Sequence, residues 1–234
     1  LHSCTPGHPE AGMTDGVETT TGPLGQGVGN AVGQALGLKL LAAKFNTDKH
    51  PLFNSKVIVL MGDGCVMEGV SSEVSSLAGH LKLDNLIAIY DANQVCLDGP
   101  LAEACSEDTK ARYKAYGWEV FEIDGNDFDA IDAVMSSIRA HQELPCLIIA
   151  RTIIGKGAPN KAGTNKVHGS PLGEEEVKAA KENLGIPRET PFYVPQTVLT
   201  HFQTKLAKDS SEEEKWQIQF EAWMRENPEK FKLF

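Results

Sequence analysis

The chain has 234 residues, of which 41% are hydrophobic and 23% charged, which suffices for one large folded domain and excludes a disordered chain. Its net charge of −10, together with the absence of a basic cluster, argues against nucleic acid and membrane surfaces as partners. No stretch approaches the ~20 consecutive apolar residues of a membrane-spanning helix.

Strand-like and helix-like segments alternate over most of the chain, after a loop at residues 1–21. Short apolar runs predict strands, and longer runs without Pro predict helices. In chain order, the predicted elements are helix 24–45, strand 56–61, helix 68–82, strand 86–90, helix 106–116 with Ser106 as N-cap, strand 119–123, helix 128–141, strand 146–150 and helix 174–184. Nearly continuous apolar strands that alternate with helices predict a doubly wound α/β fold, with a mainly parallel sheet and helices on both faces.

The first predicted helix contains glycines at four-residue intervals, which places Gly25, Gly29, Gly33 and Gly37 along one side. Each glycine costs about 1 kcal/mol of helix propensity relative to Ala. We therefore expect this side to pack closely against another helix or subunit.

The pattern changes beyond residue 190, where two polar helical segments are predicted at 195–206 and 211–226. We interpret residues 1–190 as a core domain that lacks its N-terminal part, and residues 191–234 as a helical extension towards an absent domain. The abrupt start at Leu1, directly in a motif-bearing loop, also suggests a piece of a longer protein.

The cysteines indicate a reducing compartment, because their number is odd and none forms a CxxC pair. They are Cys4, Cys65, Cys96, Cys105 and Cys146. We therefore expect a cytoplasmic protein.

Polar residues follow two predicted strands that are close in sequence. Gly62-Asp63-Gly64 ends one strand, and Asn93 follows the next. Each feature alone is ordinary, since GDG is a common tight turn. Because ligands bind at the carboxyl ends of parallel strands, the pair predicts a site where oxygen atoms hold a small divalent cation such as Mg²⁺.

Several motifs, in the same order, resemble those of transketolase over essentially the whole chain. They are TPGHPE (5–10), TTGPLGQG (20–27), GDGCVMEG (62–69), LAGHLK (77–82), YGW (116–118), IGKG (154–157) and VHG (167–169). The resemblance implies the thiamine-diphosphate-binding fold. It also implies a transferase of the pentose phosphate pathway that moves a two-carbon ketol unit from a ketose phosphate to an aldose phosphate through thiamine diphosphate.

The resemblance assigns the cofactor-binding roles residue by residue. Asp63, Asn93 and the backbone oxygen of Val95 would bind Mg²⁺ or Ca²⁺. Gly64, Asn93 and His168 would bind the diphosphate. The full-length enzyme would be a homodimer with sugar-phosphate substrates.

The resemblance also implies roles near the reacting groups. Gly22 and Leu24 would contact the cofactor's aminopyrimidine ring, and Glu68 would lie at the dimer interface. His8 and His168 would be catalytic, since imidazole can donate to sugar oxygens and transfer protons near neutral pH.

The chain also departs from the family pattern, which usually has Asp or Asn where this chain has Ala92. The pyrimidine-binding domain, with its glutamate, has no counterpart here, so we expect this chain alone to be inactive. Two alternatives stay open: dihydroxyacetone synthase, which shares these motifs, and a non-catalytic or split-enzyme cofactor-binding subunit. A more distant alternative is deoxyxylulose-phosphate synthase, but the motifs TPGHPE and LAGHLK of this chain match that enzyme poorly.

Overall fold

The computed structural model describes residues 4–234, so residues 1–3 of the predicted first loop lie outside the described part. In chain order the elements are α1 (Gln26–Phe45), β1 (Val57–Gly62), α2 (Asp63–Met67), α3 (Gly69–His80), β2 (Leu86–Ala92), α4 (Thr109–Tyr116), β3 (Glu119–Asp124), α5 (Phe128–Ala140), β4 (Cys146–Arg151), α6 (Glu174–Asn183), α7 (Gln196–Glu226) and α8 (Pro228–Leu233). Short 3-10 helices lie at Leu101–Glu103 and Asn165–Val167.

The four strands form one parallel sheet in the order β1-β2-β4-β3, which confirms the predicted α/β fold. The sheet forms because each strand is a short run of β-branched and other apolar residues. In β4, residues 146–150 are all buried. Gly62 pairs with Asp91, and the carboxyl ends of β1 and β2 therefore meet at one edge, as the sequence predicted.

One side of the first strand is open in the described part of the chain. Val57, Val59 and Met61 of β1 are buried, whereas Ile58 and Leu60 between them are exposed, Leu60 by 77%. The predicted covering of both sheet faces is therefore incomplete at β1 within residues 4–234.

Three details of the predicted helices are wrong. The N-cap of α4 is Asp108, whose Oδ1 accepts from the Ala111 N–H at 2.9 Å, and not Ser106. The sequence predicted one helix, at 68–82, after β1. Instead, α2 begins directly after β1, and Glu68, in an extended conformation, separates α2 from α3. The two segments expected beyond residue 195 are one 31-residue helix, α7.

The glycine side of α1 is not closely packed along its length. Gly25 precedes the helix with φ +82°, where a Cβ atom would lie 2.8 Å from Glu68 Cβ. A Cβ at Gly29 would meet only ordinary contacts at 3.9 Å or more. Gly33 and Gly37 have nothing within 4 Å among the described residues. Within residues 4–234 the expected close packing is found only at Gly25, and packing of the other three glycines against another subunit stays a prediction.

The chain divides into two compact units. The first contains the sheet and consists of the described residues up to Leu36 with Lys56–Lys156 and Lys161–Pro171. The second consists of Gly37–Ser55, Gly157–Asn160 and Leu172–Phe234. Its core contains Phe45, Leu52 and Trp223, and the Trp223 indole N–H donates to the Phe45 carbonyl at 2.9 Å.

No helix within residues 4–234 has both the length and the apolar character needed to cross a bilayer.

Candidate functional site

A cavity of about 540 Å³ lies at the carboxyl edge of the sheet, in the first unit. Seven of the nine residues singled out from the sequence line it: Leu24, Asp63, Gly64, Glu68, Asn93, Val95 and His168. They come from four separate stretches of the chain, so the fold brings together groups that are distant in sequence.

Two neighbouring strands position the oxygen atoms of this cavity. Gly62 is the last residue of β1, and Asp63 directly begins α2. Asn93 follows the last residue of β2, and Val95 then forms an isolated antiparallel bridge with Pro100. The bridge turns the chain back at the strand end, so the residues after β2 form one wall of the cavity.

The Asp63 carboxylate is buried and held at both oxygens. Only 3% of the residue is exposed. The Tyr90 hydroxyl donates to Oδ1 at 2.5 Å, and the Gln94 N–H donates to Oδ2 at 3.0 Å. Burial raises the pKa of the Asp63 carboxyl, and these two hydrogen bonds partly offset the effect. Burial and the adjacent carboxylate in turn raise the pKa of Tyr90, so that its hydroxyl keeps the proton that it donates.

Hydrogen bonds also orient the Asn93 amide. Its Nδ2 donates to Asp91 Oδ2 at 3.4 Å, and its Oδ1 accepts from the Val95 N–H at 3.1 Å. The other oxygen of Asp91 accepts from the Thr152 hydroxyl on the chain after β4. Because the amide nitrogen is directed towards Asp91, the amide oxygen is directed away from it.

The residues present fit a small hard cation. No group of three or more His, Cys, Asp or Glu in the described part of the chain has a metal-binding arrangement. A cation here would therefore need the mixed oxygen set of a carboxylate, an amide and a backbone carbonyl, which suits Mg²⁺ or Ca²⁺. Burial disfavours the charged form of Asp63, and a bound cation would stabilise it.

Two further observations fit an anionic ligand such as a diphosphate. A Cβ atom at Gly64 would come within 2.9 Å of Leu24 Cδ1, so only glycine leaves room on this wall. The Nδ1 atom of His168 is buried and has no hydrogen-bond partner among residues 4–234. Buried polar atoms without a partner are uncommon and indicate a missing ligand or water.

The other two candidate residues lie together but do not line the cavity. His8 is exposed, and a Cβ atom at Gly22 would lie 3.3 Å from His8 Cγ. Their roles stay predictions.

Sequence analysis did not find the hydrogen-bond partners of the predicted cation ligands. Tyr90 ends a predicted apolar strand, and Gln94 belongs to none of the motifs. One signal was available: a buried tyrosine hydroxyl usually needs a polar partner, and Asp63 is the predicted neighbour on the adjacent strand.

Comparison with known proteins decides the family. The family described as "Transketolase, thiamine diphosphate binding domain" matches residues 1–234. The chain belongs to the transketolase family. Among its relatives, a chromosomal transketolase of Cupriavidus necator is 48% identical over 98% of this chain. Transketolase 1 of Escherichia coli is 47% identical over the same share of the chain.

Solved transketolase structures have the same fold. A transketolase from Leishmania mexicana superposes with a TM-score of 0.94 at 39% identity over 98% of this chain. One from Pichia stipitis, in complex with sedoheptulose 7-phosphate, has a TM-score of 0.93 at 43% identity, also over 98% of this chain. The chain is thus a thiamine-diphosphate-binding domain of this family.

The chain spans about a third of the length of these transketolases, 34% in both sequence relatives and both structures. The activity, substrates and partners of the whole protein are therefore proposals.

Proposed function

We propose that this chain supplies the diphosphate and metal site of a transketolase, which transfers a two-carbon ketol unit from a ketose phosphate to an aldose phosphate. The observation that carries this proposal is the meeting of Asp63, Gly64, Asn93, Val95 and His168 around one cavity at the carboxyl ends of β1 and β2. Family membership supports it independently, because it does not depend on the geometry of the cavity.

In this proposal Asp63, Asn93 and the Val95 carbonyl hold Mg²⁺ or Ca²⁺. Gly64 leaves room for the diphosphate, and the free Nδ1 of His168 binds an oxygen of the diphosphate or of the donor sugar. When bound, thiamine diphosphate supplies the carbanion stabilisation that two-carbon transfer needs. The protein residues bind and orient the cofactor.

The remaining roles are proposals of the same kind. Leu24 and Gly22 contact the aminopyrimidine ring, and Glu68, which is exposed in this chain, lies at the interface of a homodimer. His8 binds the hydroxyls of the donor sugar. Residues 1–190 form the diphosphate-binding domain, and residues 191–234 form an extension from it. The protein works in the cytoplasm, in the pentose phosphate pathway.

Calorimetric titration of the 234-residue chain with thiamine diphosphate, with and without Mg²⁺, tests the proposal. We expect binding that depends on Mg²⁺. Asp63→Asn keeps the shape of the side chain and an oxygen that can accept the hydrogen bond from Tyr90, but it removes the negative charge of the carboxylate. Loss of a residue that hydrogen-bonds to a metal ligand typically costs about 10- to 100-fold in metal affinity. Loss of the charge of a ligand itself should therefore cost at least about 100-fold in metal affinity.

Asp98→Ala is the matched control, because Asp98 is an acid that lines the same cavity but is not proposed to bind the cation. It should bind the cofactor at least as tightly as the wild type. Binding that is independent of Mg²⁺, or an equal loss in both variants, would contradict the proposal.

An activity assay separates the remaining alternatives. We expect the 234 residues alone to show no turnover of xylulose and ribose phosphates in a coupled assay. In the longer protein, an aldose phosphate should be the acceptor, whereas a preference for formaldehyde would indicate a dihydroxyacetone synthase. Cofactor binding by a longer protein that is inactive with both acceptors would favour a non-catalytic or split-enzyme subunit.

A further inference from the structure

Tyr90 lies behind the proposed cation site without lining the cavity that contains it. It belongs to β2, pairs with Met61 of β1 and is only 4% exposed. Its hydroxyl would be costly to bury without a partner. The partner is Asp63 Oδ1, at 2.5 Å.

This hydrogen bond restricts the orientation of the Asp63 carboxylate. The Gln94 N–H holds the other oxygen at 3.0 Å, so rotation of the carboxylate would weaken both hydrogen bonds. A carboxylate has about four lone-pair sites, so these hydrogen bonds leave capacity for a further ligand. The strand that carries Tyr90 also leads to Asn93, so a single element places one proposed ligand and orients another.

We propose that Tyr90 is a positioning residue, which holds the Asp63 carboxylate in the orientation that binds the divalent cation. This proposal rests on the proposed function, because it requires Asp63 to be a cation ligand. Residues that orient metal ligands typically contribute 10- to 100-fold to metal affinity. The phenol ring could instead serve only to fill the core.

The two roles are separated by Tyr90→Phe, which keeps the ring and removes only the hydroxyl. The matched control is Tyr113→Phe. Tyr113 is also buried, 1% exposed, and its hydroxyl bonds to Ser75 Oγ at 3.2 Å. It does not line the cavity that contains Asp63. Both variants therefore lose one buried hydroxyl, and only one of them loses a bond to Asp63.

The measurement is the Kd of Mn²⁺ from electron paramagnetic resonance of the free ion, in the presence of thiamine diphosphate, with folding checked by circular dichroism. We expect Tyr90→Phe to raise the Kd by about 10- to 100-fold and Tyr113→Phe to leave it unchanged. An unchanged Kd in Tyr90→Phe, or equal losses in both variants, would overturn the positioning role while the proposed function stands. A folded wild-type chain that binds no Mn²⁺ would overturn both proposals.

Discussion

The Leu24 side chain lies directly against Gly64: a Cβ atom at position 64 would come within 2.9 Å of Leu24 Cδ1. Gly25, which follows Leu24, has φ +82°. It approaches Glu68 and Val70 so closely that a Cβ atom on Gly25 would lie 2.8 Å from each of these side chains. The loop before α1 is therefore packed onto the residues that follow β1. The free space beside Gly64 depends on the absence of a side chain.

Gly64→Ala should weaken cofactor binding without unfolding the chain. Leu24 is about half exposed, so it can move away from a new methyl group, but the displaced side chain would enter the cavity. An overpacking cost of about 1–3 kcal/mol corresponds to a loss of about 5- to 150-fold in affinity for thiamine diphosphate. Calorimetry measures the loss. Gly69→Ala is the control, since its Cβ would meet nothing within 4 Å; equal affinities in the two variants would disprove the steric argument.

Gly79→Ala should destabilise the first unit severely. A Cβ atom at this position of α3 would overlap the backbone carbonyl oxygen of Tyr116 and lie 3.3 Å from Trp118 Cδ1. Backbone cannot yield as a flexible side chain does, so we expect a loss of about 3 kcal/mol in the free energy of unfolding by urea. Gly33→Ala, in open space on α1, should be neutral or add up to about 1 kcal/mol through helix propensity. A mild effect of Gly79→Ala would show that the α3 contact is looser than described.

Trp223→Ala should unfold or strongly destabilise the second unit. The indole is fully buried and donates to the Phe45 carbonyl, so its removal leaves both a cavity and an unpaired carbonyl, at a cost of about 3–5 kcal/mol. Trp216 makes the same type of bond, to the Leu52 carbonyl at 3.1 Å, but is 39% exposed. Trp216→Ala should therefore cost less, about 1–2 kcal/mol. Urea unfolding followed by far-UV circular dichroism compares the two; a similar cost would refute the ranking.

Cys146 should resist alkylation until the chain unfolds. Burial, followed by the nearby Glu119 carboxylate, raises the pKa of its thiol from 9.0 to about 12. The folded state therefore retains a proton that the unfolded state loses, and the resulting stabilisation is complete below pH 9.0 and is lost as the pH rises towards about 12.

Iodoacetamide labelling followed by mass spectrometry tests the cysteine prediction. At about pH 8.5, the exposed Cys4 should react first and Cys146 only in urea. Labelling of Cys146 at the rate of Cys4 in the folded chain would contradict the assigned burial.

The sequence determined the order and type of the elements, and with them the location of the site. Short β-branched and apolar runs such as Cys146–Arg151 have few alternatives to a buried strand. Gly62 and Asn93 end two such strand-forming runs, at positions that parallel pairing brings together. The motifs indicated the family by resemblance, because seven of them follow one another in the same order along the chain. The assignment of the elements depends on local chemistry alone.

Only the tertiary structure decided which groups surround the site and support it. Ser and Asp both favour the N-cap position, so local propensity does not distinguish Ser106 from Asp108, which caps α4. The polar residues around Asp209 do not break α7, since charged residues are tolerated inside an exposed helix. Tyr90 reaches Asp63 across two paired strands, and the loop before α1 brings Leu24 against Gly64. Such contacts join residues far apart in the chain, so local propensity and spacing do not specify them.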